Sequence, residues 1–298
     1  MKPQEADTRL KTNMKKEQRP ILPGFFIEEG RDYAKGFCSQ WLQAFGYDTV
    51  PVQHLDVPLG IRIHDVKRDL NNALDAVTEG LRLGFTPHVN FAREEDVTQK
   101  VLNYFTYGVI ISVGNSMVAG SGMKGYKTLM DYTMSATKEV QDDSGVRGAV
   151  ANLSSFRDNW NYGMPYPNMY NFHMYGNAGA SPKHLRRLRK WFPHQDFTIG
   201  ELHWGFRGKD DSRVGHEGLY TKEAGAYCRE MVEQATELHM SCILFLGKDF
   251  FNRDGSFTES MKALTGEIKA KPYKPSRIKS MRLTLGMFWQ RMRDYSGV

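Results

Sequence analysis

Short segments rich in Val, Ile, Phe or Tyr alternate along this chain with longer segments of helical spacing, and that rhythm limits the fold more than any other feature. The strand candidates are 24–28, 48–53, 86–91, 107–115, 146–153, 169–175, 197–203 and 241–245, each bounded by Gly, Pro, Asp or Asn. Helical patterns fill the intervals at 31–45, 65–83, 94–105, 125–142, 181–191, 221–239 and 258–269. Asp65 and Ser181 stand where N-caps belong, with Pro182 at a first helical position. One choice stays open: Ile61-Arg62-Ile63-His64 competes with Asp48–Gln53 for the second strand. Eight strands alternating with helices over about 250 residues predict an α/β protein of the (β/α)8 barrel type.

The expected organisation is a polar arm over residues 1–20, a barrel over 21–270 and a basic amphipathic extension over 271–298. The 298 residues are 25% charged and 40% hydrophobic, as in a soluble globular protein. Cys38, Cys228 and Cys242 are odd in number and lack CxxC spacing, so buried free thiols are expected rather than a disulfide framework or zinc knuckle. The first 20 residues lack the apolar core of a signal peptide, which predicts cytoplasmic synthesis. No run approaches the roughly 18 apolar residues of a membrane span.

A barrel of this kind builds its site at the C-terminal ends of its strands. Residues 196–205 bring Glu201, His203 and Trp204 to such an end. Taken alone, that segment reads equally well as a surface Glu, a structural His and a packing Trp. Further strand ends add Glu28, His54 or His64, Asn90, Asn115, Ser116, Asn152, His173, Tyr175, Lys248 and Asp249, with Trp160, Tyr162 and Tyr166 in nearby loops. Rings beside Asn, His and carboxylates suit carbohydrate, whose faces stack while its hydroxyls take directed hydrogen bonds. Strand-end loops are polar in any barrel, so these residue types alone do not define a site.

Val109-Ile-Ile-Ser-Val-Gly-Asn115-Ser116 resembles the Val-Gly-Asn-Glu strand ending of the clan A retaining glycoside hydrolases. The resemblance covers residues 20–270 and implies a TIM barrel in which Glu201, ending strand seven, is the nucleophile. It also implies that Asn115 bonds near the sugar 2-hydroxyl and that Tyr175 orients the nucleophile; their strand-end positions add His173, His203, Trp204 and Asp249 as expected substrate contacts. Where the clan has its acid/base Glu, this chain has Ser116. Retaining hydrolysis uses two carboxyl groups about 5–5.5 Å apart, and loss of the acid removes about 10²–10⁴ of rate. The expectation is therefore a pseudoenzyme: a carbohydrate-binding barrel with impaired or lost hydrolysis. A replacement acid (Asp158, Asp249 or Glu28) or a deliberate change at Ser116 would account for the same gap.

Readings from different classes remain. A non-enzymatic structural or receptor-binding component of an assembly such as a phage virion fits the missing acid and the two extensions. A nucleotide-binding reading rests on Gly120-Ser-Gly-Met-Lys-Gly125-Tyr126-Lys127-Thr128, but Tyr126 turns the Lys and Thr by about 100° from P-loop register. No cofactor is implied. His173, His203 and Glu201 lack a metal-site spacing, so no metal is expected. No nucleic-acid motif is present; the basic run Lys183 to Lys190 reads as a solvated helix face. Beyond a Lys-Pro-Tyr-Lys-Pro hinge, Ile278, Met281, Leu285, Phe288, Trp289 and Met292 recur at helical spacing among Arg277, Lys279, Arg282, Arg291 and Arg293. Such a helix either packs on its own domain or docks elsewhere: on a partner protein first, then on a membrane surface or nucleic acid.

Overall fold

The computed structural model describes residues 21–28, 36–54, 57–92, 98–105, 109–113, 147–153, 169–205 and 220–296. Its strands are β1 (Gly24–Glu28), β2 (Pro58–Ile63), β3 (Thr86–Phe91), β4 (Ile110–Val113), β5 (Arg147–Leu153), β6 (Met169–Tyr175), β7 (Asp196–His203) and β8 (Ser241–Leu244). Its helices are α1 (Phe37–Ala44), α2 (Val66–Leu83), α3 (Gln99–Leu102), α4 (Pro182–Trp191), α5 (Lys222–Glu237), α6 (Glu259–Thr265) and α7 (Arg277–Ser296). Short 3-10 turns follow β6 (Gly176–Ala178) and β8 (Gly247–Phe250).

The class is α/β. Every strand pairs in parallel with its neighbours in sequence, and the sheet curls until β8 lies beside β1, with Gly24 opposite Ile243 and Phe25 opposite Leu244. Parallel pairing requires crossovers, and among the described residues amphipathic helices such as α2, α4 and α5 provide them. The helix expected over 125–142 lies outside the described residues.

The second strand is Pro58–Ile63, not Asp48–Gln53. All six of its residues are buried between β1 and β3. Residues 48–53 make a turn instead: the Val50 N–H donates to the Leu83 carbonyl at the end of α2, and the Pro51 carbonyl accepts from His54 N at 2.8 Å. Val52 is 88% exposed, so the alternation of Val50 and Val52 never meets a sheet. The helix expected over 94–105 is only the single turn α3 among the described residues.

Helix ends follow local chemistry. Asp65 caps α2 by accepting from Lys67 N, and Gly84 ends that helix at φ 89°. Thr221 and Thr258 cap α5 and α6 through Ala224 N and Met261 N. Ser181 precedes α4 as expected, with Pro182 at the first position, but its hydroxyl pairs with His184 Nδ1 at 2.9 Å instead of capping.

Most of the core lies between sheet and helices. Trp41 is fully buried there against Phe25, with its indole N–H donating to the Pro23 carbonyl at 2.9 Å. Phe26, Ile243, Phe245 and Leu246 form a second, smaller cluster. Gly60 makes room for it: a β-carbon there would stand 2.5 Å from the Phe26 ring. Cys38, Cys228 and Cys242 are free and buried, and burial pushes all three thiols well up, so they stay protonated.

The C-terminal helix α7 sits on the outside of α4 and the turn after β6. Lys279 Nζ donates to the Asn177 carbonyl and the Ser280 hydroxyl to the Gly179 carbonyl, both at 2.7 Å. His184 Nε2 donates to the Ser280 carbonyl at 3.1 Å, Arg187 donates to Thr284, and Met287 is fully buried. Gly179 is required twice over. Its φ is 100°, and a β-carbon would meet the Lys279 backbone at 2.4 Å.

Candidate active site at the strand ends

Glu201 lies near the end of β7, with only 1% of its surface exposed. A register irregularity between Ile199 and Leu202 surrounds it, and His173 of β6 stands opposite it. Both carboxylate oxygens are held. Oε1 accepts from the Arg62 guanidinium, and Oε2 accepts from the Tyr175 hydroxyl. His173 Nδ1 is 3.3 Å from Oε2. Two strands, β2 and β6, thus fix a carboxylate carried by β7, which limits its rotation and aims it without help from substrate.

Arg62 gives this buried anion its counter-charge. It stands in the middle of an apolar strand and is only 6% exposed. Its guanidinium lies over the Phe26 ring at 4.7 Å and near the Phe245 ring at 5.6 Å. The smaller apolar cluster is therefore also the bed on which the cation rests. Sequence reasoning placed Arg62 in a competing strand without giving it a role. The available signal was an arginine between two isoleucines, since a charge inside a buried strand needs a partner.

His173 titrates below the ordinary histidine range. Burial is the main cause, Glu201 opposes it, and Arg62 adds to it. The ring is neutral at pH 7. A carboxylate only accepts, so the 3.3 Å approach to Oε2 favours the tautomer with its proton on Nδ1. That tautomer leaves Nε2 as an acceptor, and Nε2 has no hydrogen-bond partner among the described residues. The pair His173 and Tyr175 on β6 thus faces Glu201 as a single unit, with one buried ring nitrogen left as an acceptor.

The remaining expected site residues are distributed differently. His203 is buried, opposite Tyr175 in register, with its ring 5.5 Å from Phe250. Asp249 is buried in the turn after β8, where the Tyr220 hydroxyl approaches it at 3.5 Å. Trp204 does not offer an open sugar platform: Tyr273 stacks on it at 4.5 Å, and Tyr227 meets it edge-on at 5.2 Å. His54 sits on the 51–54 turn beside Tyr47, away from a strand end, and burial lowers its pKa. Asn90 is buried on β3 opposite Arg62. Asn115, Ser116, Asp158, the rings at 160, 162 and 166, and the glycine-rich stretch 120–128 all lie outside the described residues. Among the described residues no group of three or more His, Cys, Asp or Glu side chains is arranged to hold a metal ion.

The arrangement can present an anionic oxygen to an electrophilic carbon while the surrounding donors hold it still. No family model matches the sequence, and no curated protein sequence matches it. Solved structures do match. A glucosidase from Croceicoccus marinus superposes with a TM-score of 0.51 at 14% identity, over 83% of this chain and 67% of that one. At that identity the likeness is one of fold alone, an α/β architecture of parallel strands and helices. The citrate synthase SbnG aligns over 93% of this chain and 95% of that one, at 11% identity and a TM-score of 0.31, too low to carry an argument.

Proposed function

We propose that the chain is a complete (β/α)8 barrel of the clan A retaining glycoside hydrolase type. In this reading it binds carbohydrate at the mouth around Glu201, and Ser116 leaves hydrolysis impaired. The observation that carries it is the fixed carboxylate: Glu201 held by Arg62 of β2 and by Tyr175 and His173 of β6. The fold likeness to a glucosidase supports the same class. In this reading Glu201 is the nucleophile. His173 Nε2 accepts from a sugar hydroxyl, and Asn115, His203 and Asp249 line the mouth. Trp204 supports it from behind, through its stack with Tyr273.

Without a carboxylic acid at position 116, the leaving oxygen departs unprotonated. Ordinary glycosides then lose about 10²–10⁴ of rate, whereas aryl glycosides with acidic phenols need little acid help. The test is a panel of activated aryl glycosides on the parent protein, Glu201→Ala and Ser116→Glu. Slow turnover that vanishes in Glu201→Ala and rises in Ser116→Glu is the expected result. Turnover that survives Glu201→Ala removes Glu201 from the chemistry. If no aryl glycoside or oligosaccharide is turned over or bound, the carbohydrate reading itself is wrong.

A further inference from the structure

The helix α7 is held on the barrel largely by polar contacts, and several of them converge on one histidine. Among the described side chains of α7 only Met287 is buried, and Leu283 packs on the core in part. Hydrogen bonds make up much of the seat: Lys279 and Ser280 to the turn after β6, Ser280 and Thr284 to α4. His184 lies at the centre of the α4 side, 2% exposed, with both ring nitrogens in use. A carbonyl only accepts, so the 3.1 Å contact with the Ser280 carbonyl puts the ring proton on Nε2. Nδ1 then accepts from the Ser181 hydroxyl at 2.9 Å. The Thr284 hydroxyl approaches Nε2 at 3.3 Å and also accepts from Arg187. One neutral ring thus joins the first turn of α4 to two successive turns of α7.

His184 borders a groove whose charged walls surround it. There α4 brings Lys183, Arg186 and Arg187, α7 brings Arg277, and the linker before α7 brings Tyr273 and Lys274. Across the groove α5 presents Glu230, Glu233 and Glu237. Arg229 pairs with Glu233 and Gln234 donates to Glu237, both at 2.9 Å, and the hydrogen bonds of His184 go to Ser181, Ser280 and Thr284 instead. Burial holds the imidazole below the ordinary histidine range; the Ser280 carbonyl opposes that, the Arg187 guanidinium adds to it, and the Ser181 backbone opposes it. We propose that His184 is an acid-released latch: its neutral ring holds α7 against α4, and its protonation loosens that helix while the barrel stays folded.

A proton on Nδ1 turns the acceptor of the Ser181 hydroxyl into a second donor, and that bond survives only if the hydroxyl turns round. The ring then carries a charge in a buried place beside Arg187, bonded to a carbonyl and hydroxyls rather than to a carboxylate. Lifting α7 relieves this, because Ser280 and Thr284 withdraw and water reaches the ring. The proton therefore favours the lifted helix. Linkage sets the size: each pH unit below the ordinary value of about 6.5 raises the ratio of lifted to seated helix by up to about tenfold, until the pH reaches the lower value of the seated ring. Above about pH 6.5 the latch is closed. The barrel need not open with it, since the strand ladder closes from β1 through β8 without α7.

The experiment is hydrogen exchange of the full chain at pH 7.5 and 5.5, read by mass spectrometry on peptides from α7 and from β6 to β8. The intrinsic pH dependence of amide exchange is divided out. Protection of α7 is expected to fall about threefold to tenfold at pH 5.5, and that of the strands to fall less. His184→Gln keeps a donor at the place of Nε2 without a titrating ring, and its α7 should be equally protected at both pH values. If that variant leaves α7 unprotected at pH 7.5, Arg187→Gln decides. With the neighbouring cation gone the acid response should shrink, and an undiminished response overturns the latch. Three further results overturn it: α7 protection that does not change with pH, an equal loss in His184→Gln, or a loss shared equally by the strands. The second would assign the response to the α5 carboxylates, and the third to global unfolding.

Discussion

Two regions of this molecule reverse the usual partition of polar and apolar groups, and they do so in opposite senses. Around Glu201 charged side chains are buried; along α7 large apolar side chains are exposed. The first reversal is compensated from within, since Arg62, Tyr175 and His173 satisfy the carboxylate and the rings of Phe26 and Phe245 receive the cation. The second stays open to solvent among the described residues. The contrast separates two ways of placing unlike groups: the polar cluster at the strand ends is satisfied within the fold, whereas the apolar side chains of α7 keep much of their surface in solvent.

The sharpest way to break that comparison is to remove the compensation. Arg62→Met leaves Glu201 buried without its cation, and stability in urea should fall by about 3–5 kcal/mol. The double variant Arg62→Met/Glu201→Gln should recover most of the loss, because no lone charge remains. A loss below about 1 kcal/mol for Arg62→Met would mean that water already reaches the carboxylate. Tyr175→Phe deletes one hydrogen bond to a charged acceptor and should cost about 1.5–3 kcal/mol in the same melts. It should also slow any Glu201-dependent aryl glycoside turnover.

Acid should weaken the mouth through His173. Its folded pKa lies below the unfolded value of about 6.5, so below that pH the unfolded chain binds a proton that the folded chain refuses. Its contribution is intact above about pH 6.5 and is lost as pH falls through the folded value, with a slope of at most about 1.4 kcal/mol per pH unit. Urea melts at pH 7.5 and 5.5 should show a smaller difference for His173→Gln than for the parent. His184 shifts the same way through burial, so part of the slope should persist. The smallest effect belongs to α7: Met281→Gln should alter stability by no more than about 0.5 kcal/mol. A loss of several kcal/mol would show that the exposed edge packs on something within the chain and would end the contrast.

Much of the frame was legible because periodicity reports burial. Met169–Tyr175 and Ser241–Leu244 follow the sequence reading almost residue for residue, since each is a short apolar run closed by Gly or a turn. Asp48–Gln53 was misleading because Val50 and Val52 alternate as a strand would, while Pro51 denies the ladder an N–H and a tertiary bond to Leu83 takes Val50 out of extended pairing. Glu201, His173 and Tyr175 were legible as strand-end polar residues. Arg62 was not, because its role depends on a partner 139 residues away in the chain. Trp204 was readable as an aromatic at a strand end, but Tyr273, which covers it, belongs to a linker that periodicity does not place.

The seat of α7 also sets an order of events when the chain is made. The turn Gly176–Ala178 follows directly from Tyr175, and the hydrogen bonds that cover it come from Lys279 and Ser280, 102 and 101 residues later. Trp204 packs against the same turn so closely that a β-carbon on Gly176 would stand 2.1 Å from it, and the ring stacked on Trp204 is Tyr273. At about 5–20 residues per second of synthesis, the strand end carrying Tyr175 leaves the ribosome roughly 5–20 s before its last neighbours do. The turn after β6 is thus covered late, by α7, and in a chain stalled before residue 273 Trp204 would still lack the ring that stacks on it.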